Sequence, residues 1–214
     1  MTKIKFISLI TIFLTFLLSC NNSNVEKKNL IYKENICVEN GIGHEYFEVY
    51  EGDKLIIKKD DIRNFKVKDT DCFAIFYNFP EPFFGYYIEN GKIKKKVSGI
   101  YPTNLITADL KYVISWNNEK TSLNGTINVK EIKSGKTKKC WKIDELCKNI
   151  PYKKSVGDCN LKENGNKVSI EFTDGWNETY ESFELDEETL ELIYIPTEYS
   201  KNNPENTKDL PYLH

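Results

Sequence analysis

From residue 30 onward, apolar residues come in short runs broken by turn formers, the pattern of strands and not of amphipathic helices. Leu30 to Val38 and Glu45 to Tyr50 are rich in Ile, Tyr, Phe and Val and are separated by Gly41 and Gly43. Glu51-Gly52-Asp53 reads as a turn into a strand at Lys54–Lys58. Cys72 to Tyr77 is nearly continuous in apolar residues, which predicts a buried strand. Pro80-Glu81-Pro82 cannot belong to a central strand, because proline lacks the N–H that a ladder needs. The clearest local signal is Asn90-Gly91 between Phe84–Glu89 and Lys92–Ser98, since a type I′ hairpin turn needs positive φ at both central residues. Strict alternation in the second arm would place Ile93, Lys95 and Val97 on one face.

Three stretches, near residues 72–98, 111–143 and 167–195, share the outline strand, loop, strand, tight turn, strand. Ile143, Leu146, Cys147 and Ile150 have the i, i+3, i+4, i+7 spacing of one short helix between the second and third. The fold class expected is mainly β, an antiparallel meander closing as a barrel, a sandwich or a small propeller-like array. The second stretch loosely resembles a blade of the propeller family, in Ala108-Asp109-Leu110-Lys111-Tyr112 and in Ile132-Lys133-Ser134-Gly135-Lys136. Four blades would fit only if the weak 45–67 segment supplied one. The expected organisation is one β-rich domain over 30–195 and a polar C-terminal tail over 196–214.

The N-terminus reads differently. Lys3 and Lys5 precede an uncharged apolar run from Phe6 to Leu18, a secretory h-region too short to span a bilayer as a helix. Leu17-Leu18-Ser19-Cys20 at its end resembles the lipobox of bacterial lipoprotein signal peptides. That resemblance implies removal of residues 1–19, lipid on Cys20 and attachment to a membrane of the cell envelope, on its periplasmic or surface face. Asn21 to Asn29 is polar, so 20–29 is expected to be a tether.

Composition adds less. Cleavage before Cys20 would leave 195 of 214 residues and shift the formal charge from −2 to −4. With Arg63 as the lone arginine and no glutamine, the lysine content reads as codon bias, so no nucleic-acid partner is expected. Lys92–Lys154 holds 15 lysines against 5 acids, and Asp158–Glu198 holds 12 acids against 2 lysines. Neighbouring strands could offset one another in this way, or the surface could be dipolar and steer a charged partner. Beyond Cys20 there remain Cys37, Cys72, Cys140, Cys147 and Cys159. An oxidising compartment predicts disulfides, one among Cys140, Cys147 and Cys159 and one joining Cys37 to Cys72. Zinc is not expected, because no Cys-x-x-Cys occurs and neither histidine has ligand spacing.

Catalytic signals are weak. His44 in Gly41-Ile42-Gly43-His44-Glu45 matches no nucleophile elbow, zinc motif or phosphate loop, and His214 is terminal. The acid pairs Asp60-Asp61, Asp69/Asp71 and Asp186-Glu187-Glu188 sit on expected turns. No cofactor or metal is expected. Phe79, Phe83 and Phe84, beside Pro80 and Pro82, are either core or an exposed docking patch. The leading expectation is a non-catalytic envelope protein that binds a ligand or protein, an inhibitor or immunity protein being one version. The rival is an envelope hydrolase using acids and His44.

Overall fold

The computed structural model describes residues 29–39, 42–78, 81–101, 103–117, 125–146, 158–173 and 178–202. The expected signal segment, Cys20, most of the expected 20–29 tether, Phe79 and Cys147 lie outside the described residues. Sheet 1 is β1 (Leu30–Glu39), β2 (Ile42–Glu51) and β3 (Lys54–Asp60). Sheet 2 is β4 (Ile62–Lys68), β5 (Asp71–Asn78), β6 (Glu81–Glu89) and β7 (Lys92–Ile100). Contrary to expectation, Glu81 and Pro82 open the inner strand β6, where Pro82 precedes Phe83, the first β6 residue paired with β7. Sheet 3 is β8 (Thr103–Ile106), β9 (Tyr112–Asn117), β10 (Thr126–Glu131) and β11 (Thr137–Lys142). Sheet 4 is β12 (Asp158–Asn164), β13 (Lys167–Thr173), β14 (Thr179–Asp186) and β15 (Leu192–Ile195). Two short helices are described, α1 (Ile143–Leu146) after sheet 3 and α2 (Glu198–Asn202) after sheet 4.

Every sheet is an antiparallel meander of consecutive strands, and the sheets pack face to face in chain order. Phe47 and Val49 of sheet 1 meet Cys72, Ala74, Phe76 and Ile88 of sheet 2. The other face of sheet 2 carries Phe73, Ile75, Tyr87 and Val97 against Ile106, Leu110, Val113 and Ile132 of sheet 3. Tyr112, Ile114, Trp116, Ile127 and Val129 then face Val168, Ile170, Phe172, Phe183 and Leu185 of sheet 4. Among the described residues, no buried apolar cluster joins sheet 4 to sheet 1. The chain is therefore the small propeller-like array, open in its apolar packing, and not a barrel or sandwich.

This layering explains the sequence pattern. Successive side chains of a strand point to opposite faces. β5 and β9 lie in sheets covered on both sides, so Cys72–Phe76 and Tyr112–Trp116 are buried without interruption. β13 lies in an end sheet, so Val168, Ile170 and Phe172 are buried while Lys167, Ser169 and Glu171 stay half-exposed. The Asn90-Gly91 turn forms with φ of 50° and 74°. Its second arm departs from simple alternation, because a register shift lies between Tyr87 and Ile88. Ile93 pairs with Ile88 while Lys95 pairs with Tyr87, so the bulge puts Ile93 and Lys95 on opposite faces.

Each repeated stretch begins one strand earlier than its hydrophobicity indicates. The first strands β4, β8 and β12 of sheets 2, 3 and 4 lie side by side, joined by polar groups. The Lys66 ammonium donates to Glu163 and, at 3.0 Å, to the Ile106 carbonyl. The Asn64 amide donates to Asn104 Oδ1 at 3.4 Å.

The disulfide expectation is corrected. Cys72, Cys140 and Cys159 are free thiols, which removes both the Cys37–Cys72 bond and any bond among Cys140, Cys147 and Cys159. Cys72 is fully buried between sheets 1 and 2, and Cys159 between sheets 3 and 4, whereas Cys140 is exposed on β11. Burial pushes the thiols of Cys72 and Cys159 far above their ordinary range, so both behave as small apolar side chains.

Candidate functional site

Tight turns close the first strand pair of sheets 2 and 3, and both need unusual backbone. Asp69 between β4 and β5 has φ 53°, and Leu110 between β8 and β9 has φ 58°. These two turns, with β6 and the β10–β11 turn, enclose a pocket of about 280 Å³. Lys68, Asp69, Thr70, Asp71, Tyr87, Asp109, Leu110 and Lys133 line it. Leu110 and Tyr87 form its apolar floor, since both also belong to the core between sheets 2 and 3.

The polar groups are held in defined places. The Tyr87 hydroxyl donates to Asp71 Oδ2 at 2.6 Å. Burial raises the Tyr87 phenol far above its ordinary value, and the Asp71 bond adds to that, so it remains a donor. Asp109 Oδ1 accepts from the Thr107 hydroxyl at 2.7 Å and from the Lys111 N–H at 2.8 Å, which fixes its carboxylate at the turn. The Tyr32 hydroxyl donates to the Thr70 carbonyl at 2.7 Å, and Thr70 Oγ1 donates to Asn90 Oδ1 at 2.8 Å. The Lys133 ammonium lies over the Tyr87 ring, 5.5 Å from its centroid.

A second acidic group interacts with Asp109. Glu187, in the β14–β15 turn, is 7% exposed, and its Oε1 has no hydrogen-bond partner. Burial, with the nearby Asp109 and Glu163 carboxylates, raises its carboxyl to about 7, while Lys66 and Lys111 oppose the shift. Glu163 is already engaged, accepting from Lys66 and from the Ala108 N–H. The outer face of sheet 1 holds a contrasting network. There Glu48 accepts from Tyr50 at 2.8 Å and from Asn35, and pairs with Lys58 at 3.4 Å. That carboxylate is satisfied by its own neighbours, chiefly the Tyr50 hydroxyl, which lower its pKa.

The sequence-derived candidates converge here only in part. Phe83 and Phe84 are adjacent on β6 and half-buried against different cores, Phe83 beside Tyr77 and Phe84 stacked on Phe76. Phe83 and Phe84 thus serve opposite faces of sheet 2, and Phe79 lies outside the described residues. His44 lies on β2 opposite Cys37, in sheet 1, and its side chain is outside the described residues. Asp69 and Asp71 do enter the pocket, and Glu187 lies beside it. Tyr87, Asp109 and Lys133 were not legible as site residues. Their only sequence signal was the blade-like resemblance of the two turns that carry Asp109 and Lys133.

No family model matches the chain, and no curated protein matches it. Among solved structures it is similar to the β-propeller domain of the Trilobed protease from Pyrococcus furiosus, described as revealing an open velcro topology. The superposition has a TM-score of 0.50 at 5% identity and covers 80% of this chain and 55% of that one. The chain thus spans about half the length of that structure, and the likeness is one of fold.

Proposed function

We propose that this protein is a lipid-anchored lipoprotein of the bacterial cell envelope that binds a small polar ligand without transforming it. The supporting observation is the pocket between sheets 2 and 3, whose lysines, aspartates and tyrosine suit holding a charged molecule. A stack of short meanders is a rigid platform, and binding groups on its turns are positioned by the sheets beneath them. The anchor rests on the lipobox resemblance at Cys20 and the polar segment after it. Two or more acyl chains there would hold the domain stably at the membrane.

The anchor is tested by labelled palmitate, which should enter the wild type and not Cys20→Ala. Incorporation that survives the substitution removes the lipoprotein reading. The binding role is tested by native mass spectrometry of protein purified from its own envelope, with thermal-shift screening of small metabolites of all charge types. A ligand of any class displaced by a bulky Thr70→Trp variant supports the role. Ligands that bind equally well to Thr70→Trp refute the pocket as their site.

A hydrolase reading draws on one specific feature, the Glu187 carboxyl raised to about 7 beside Asp109, as a general acid would be. Its partner His44 belongs to sheet 1, whereas Glu187 belongs to sheet 4. Hydrolysis of an envelope substrate that is lost in Glu187→Gln would establish that reading, and retained turnover would exclude Glu187 from it.

A further inference from the structure

We propose that the pocket between sheets 2 and 3 recognises a small aliphatic primary ammonium ion, seated between Asp71 and Asp109 over the face of Tyr87. The inference rests on the binding role proposed above and names the ligand chemistry of that same site.

Three features lead to a cation. The first is the charge of the wall: Asp69, Asp71 and Asp109 against Lys68 and Lys133. The second is that the protein already places an ammonium there. Lys133 extends from the β10–β11 turn and rests over the Tyr87 ring, the aromatic face that attracts cations. No ion pair is formed by Lys133 among the described residues, so its position owes more to the ring and the surrounding negative field than to a bonded partner. It is an internal stand-in for a ligand ammonium, and a side chain on a turn can swing into water when displaced. The third is the buried Glu187 carboxyl, which interacts electrostatically with Asp109 and has an oxygen without a partner. A cation arriving at Asp109 lowers the cost of charging Glu187, so the second carboxyl reinforces the first.

The protein's own groups also set the orientation. The Tyr87 hydroxyl is committed to Asp71 Oδ2, leaving Oδ1 for a ligand, and Thr107 and Lys111 leave Asp109 Oδ2 in the same condition. A cavity of about 280 Å³ suits a short chain and not a polymer. Lys68, also in the lining, would meet a carboxylate if the ammonium belongs to a zwitterion. Diamines and basic amino acids share the recognised group and differ at that end.

Isothermal titration of the full chain in detergent with 1,4-diaminobutane and with lysine tests the proposal, with 1,4-butanediol as the uncharged control. The expected result is saturable binding of at least one amine and none of the diol. Asp71→Asn and Asp109→Asn should each weaken that binding tenfold or more. Lys133→Ala should tighten it about threefold, because it removes the internal competitor; a merely negative surface would give no more than a small electrostatic gain, equal for Lys68→Ala. Lysine bound in preference to the diamine, with the preference lost in Lys68→Ala, identifies a zwitterion; the reverse preference identifies a diamine. Absence of saturable amine binding in both wild type and Lys133→Ala overturns the inference, as does binding indifferent to the two aspartates. A neutral or anionic ligand displaced by Thr70→Trp would overturn the ammonium assignment and leave the binding role intact.

Discussion

The interface between sheets 3 and 4 and the interface between sheets 2 and 3 are built on the same plan and end differently. Between sheets 3 and 4, apolar side chains run from Tyr112 to Trp116 and from Val168 to Phe172, and both helices add to the column. α1 contributes Ile143 and Leu146, and Tyr199 of α2 packs edge-on to Tyr180. Between sheets 2 and 3 the apolar column is shorter, and at Leu110 and Tyr87 it gives way to aspartates and lysines. Both interfaces bury aromatic rings, and the one between sheets 2 and 3 leaves polar groups around a cavity. The lesson is that the stacking needs less apolar surface than the longer interface supplies. Where the column stops short, the turns are free to carry other chemistry.

The two interfaces should respond differently to substitution. The largest effect is expected from Phe183→Ala, since the ring is fully buried between Phe172 and Tyr194 at centroid distances of 6.1 and 5.6 Å. Its loss should cost about 3–5 kcal/mol in urea unfolding, in line with large-to-small core substitutions. Ligand affinity should be unchanged in the fraction that remains folded. A loss under 1 kcal/mol would mean that this interface is not the stable part of the array. Next comes Gly85→Ala on β6. A Cβ there would stand 2.2 Å from Phe73 Cζ, and that ring is fully buried with nowhere to move. Overpacking of this kind costs about 1–3 kcal/mol. Phe73 pairs across the strands with Tyr87, so this variant should weaken both stability and binding, unlike Phe183→Ala.

Much of this contrast could be read from the chain, and the rest is hidden for definite reasons. The continuous runs Cys72–Phe76 and Tyr112–Trp116 and the Asn90-Gly91 hairpin follow from pattern alone. β4, β8 and β12 did not, because their pairing owes more to backbone and polar groups than to apolar side chains. β8 is four residues long, and β12 reads Asp-Cys-Asn-Leu-Lys-Glu-Asn. The bulge beside Tyr87 is invisible because alternation through Lys92–Val97 looks uninterrupted in sequence. The disulfide expectation failed because compartment and spacing say nothing about direction: Cys159 is buried in an apolar core while Cys140 is exposed on β11, and Cys72 is buried as a free thiol between sheets 1 and 2. Of the site, Asp69 and Asp71 were visible as an acid pair. Asp109 and Lys133 reach them only through packing of one sheet on the next, which periodicity does not encode.

A carboxyl intrudes on the long apolar interface, and pH should expose it. Glu181 on β14 is 2% exposed, and burial raises its carboxyl to about 7. Its folded pKa lies above its ordinary value of 4.5, so the folded chain binds more protons than the unfolded chain between those limits. Stability should therefore fall as pH rises from 4.5 to about 7, and stay low above it. Glu187 on the pocket side should add a smaller share of the same sign. Glu181→Gln keeps the shape and removes the charge. It should raise the unfolding free energy at pH 8 by on the order of 2 kcal/mol, leave it nearly unchanged at pH 4.5, and flatten the profile between. Thermal unfolding of both proteins across that range is the measurement, and parallel profiles would show that Glu181 is not the titrating group.

The smallest stability effect is expected where the binding effect is greatest. Asp71→Asn retains an oxygen that can accept from the Tyr87 hydroxyl, so the 2.6 Å contact becomes an ordinary neutral hydrogen bond and is not lost. A neutral bond contributes roughly 1 kcal/mol less than one to a charged group, and Asp71 is only half-buried, so solvent screening reduces the difference further. The unfolding free energy should therefore change by less than about 1 kcal/mol, within the range of ordinary surface substitutions. Removing that negative charge also relieves the Tyr87 phenol of part of its upward shift, so its spectrophotometric titration should move to lower pH. That readout separates loss of the carboxylate from loss of the fold. If Asp71→Asn were as destabilising as Phe183→Ala, the aspartate would be part of the packing of sheets 2 and 3, and the division between an apolar column and a polar mouth would not hold.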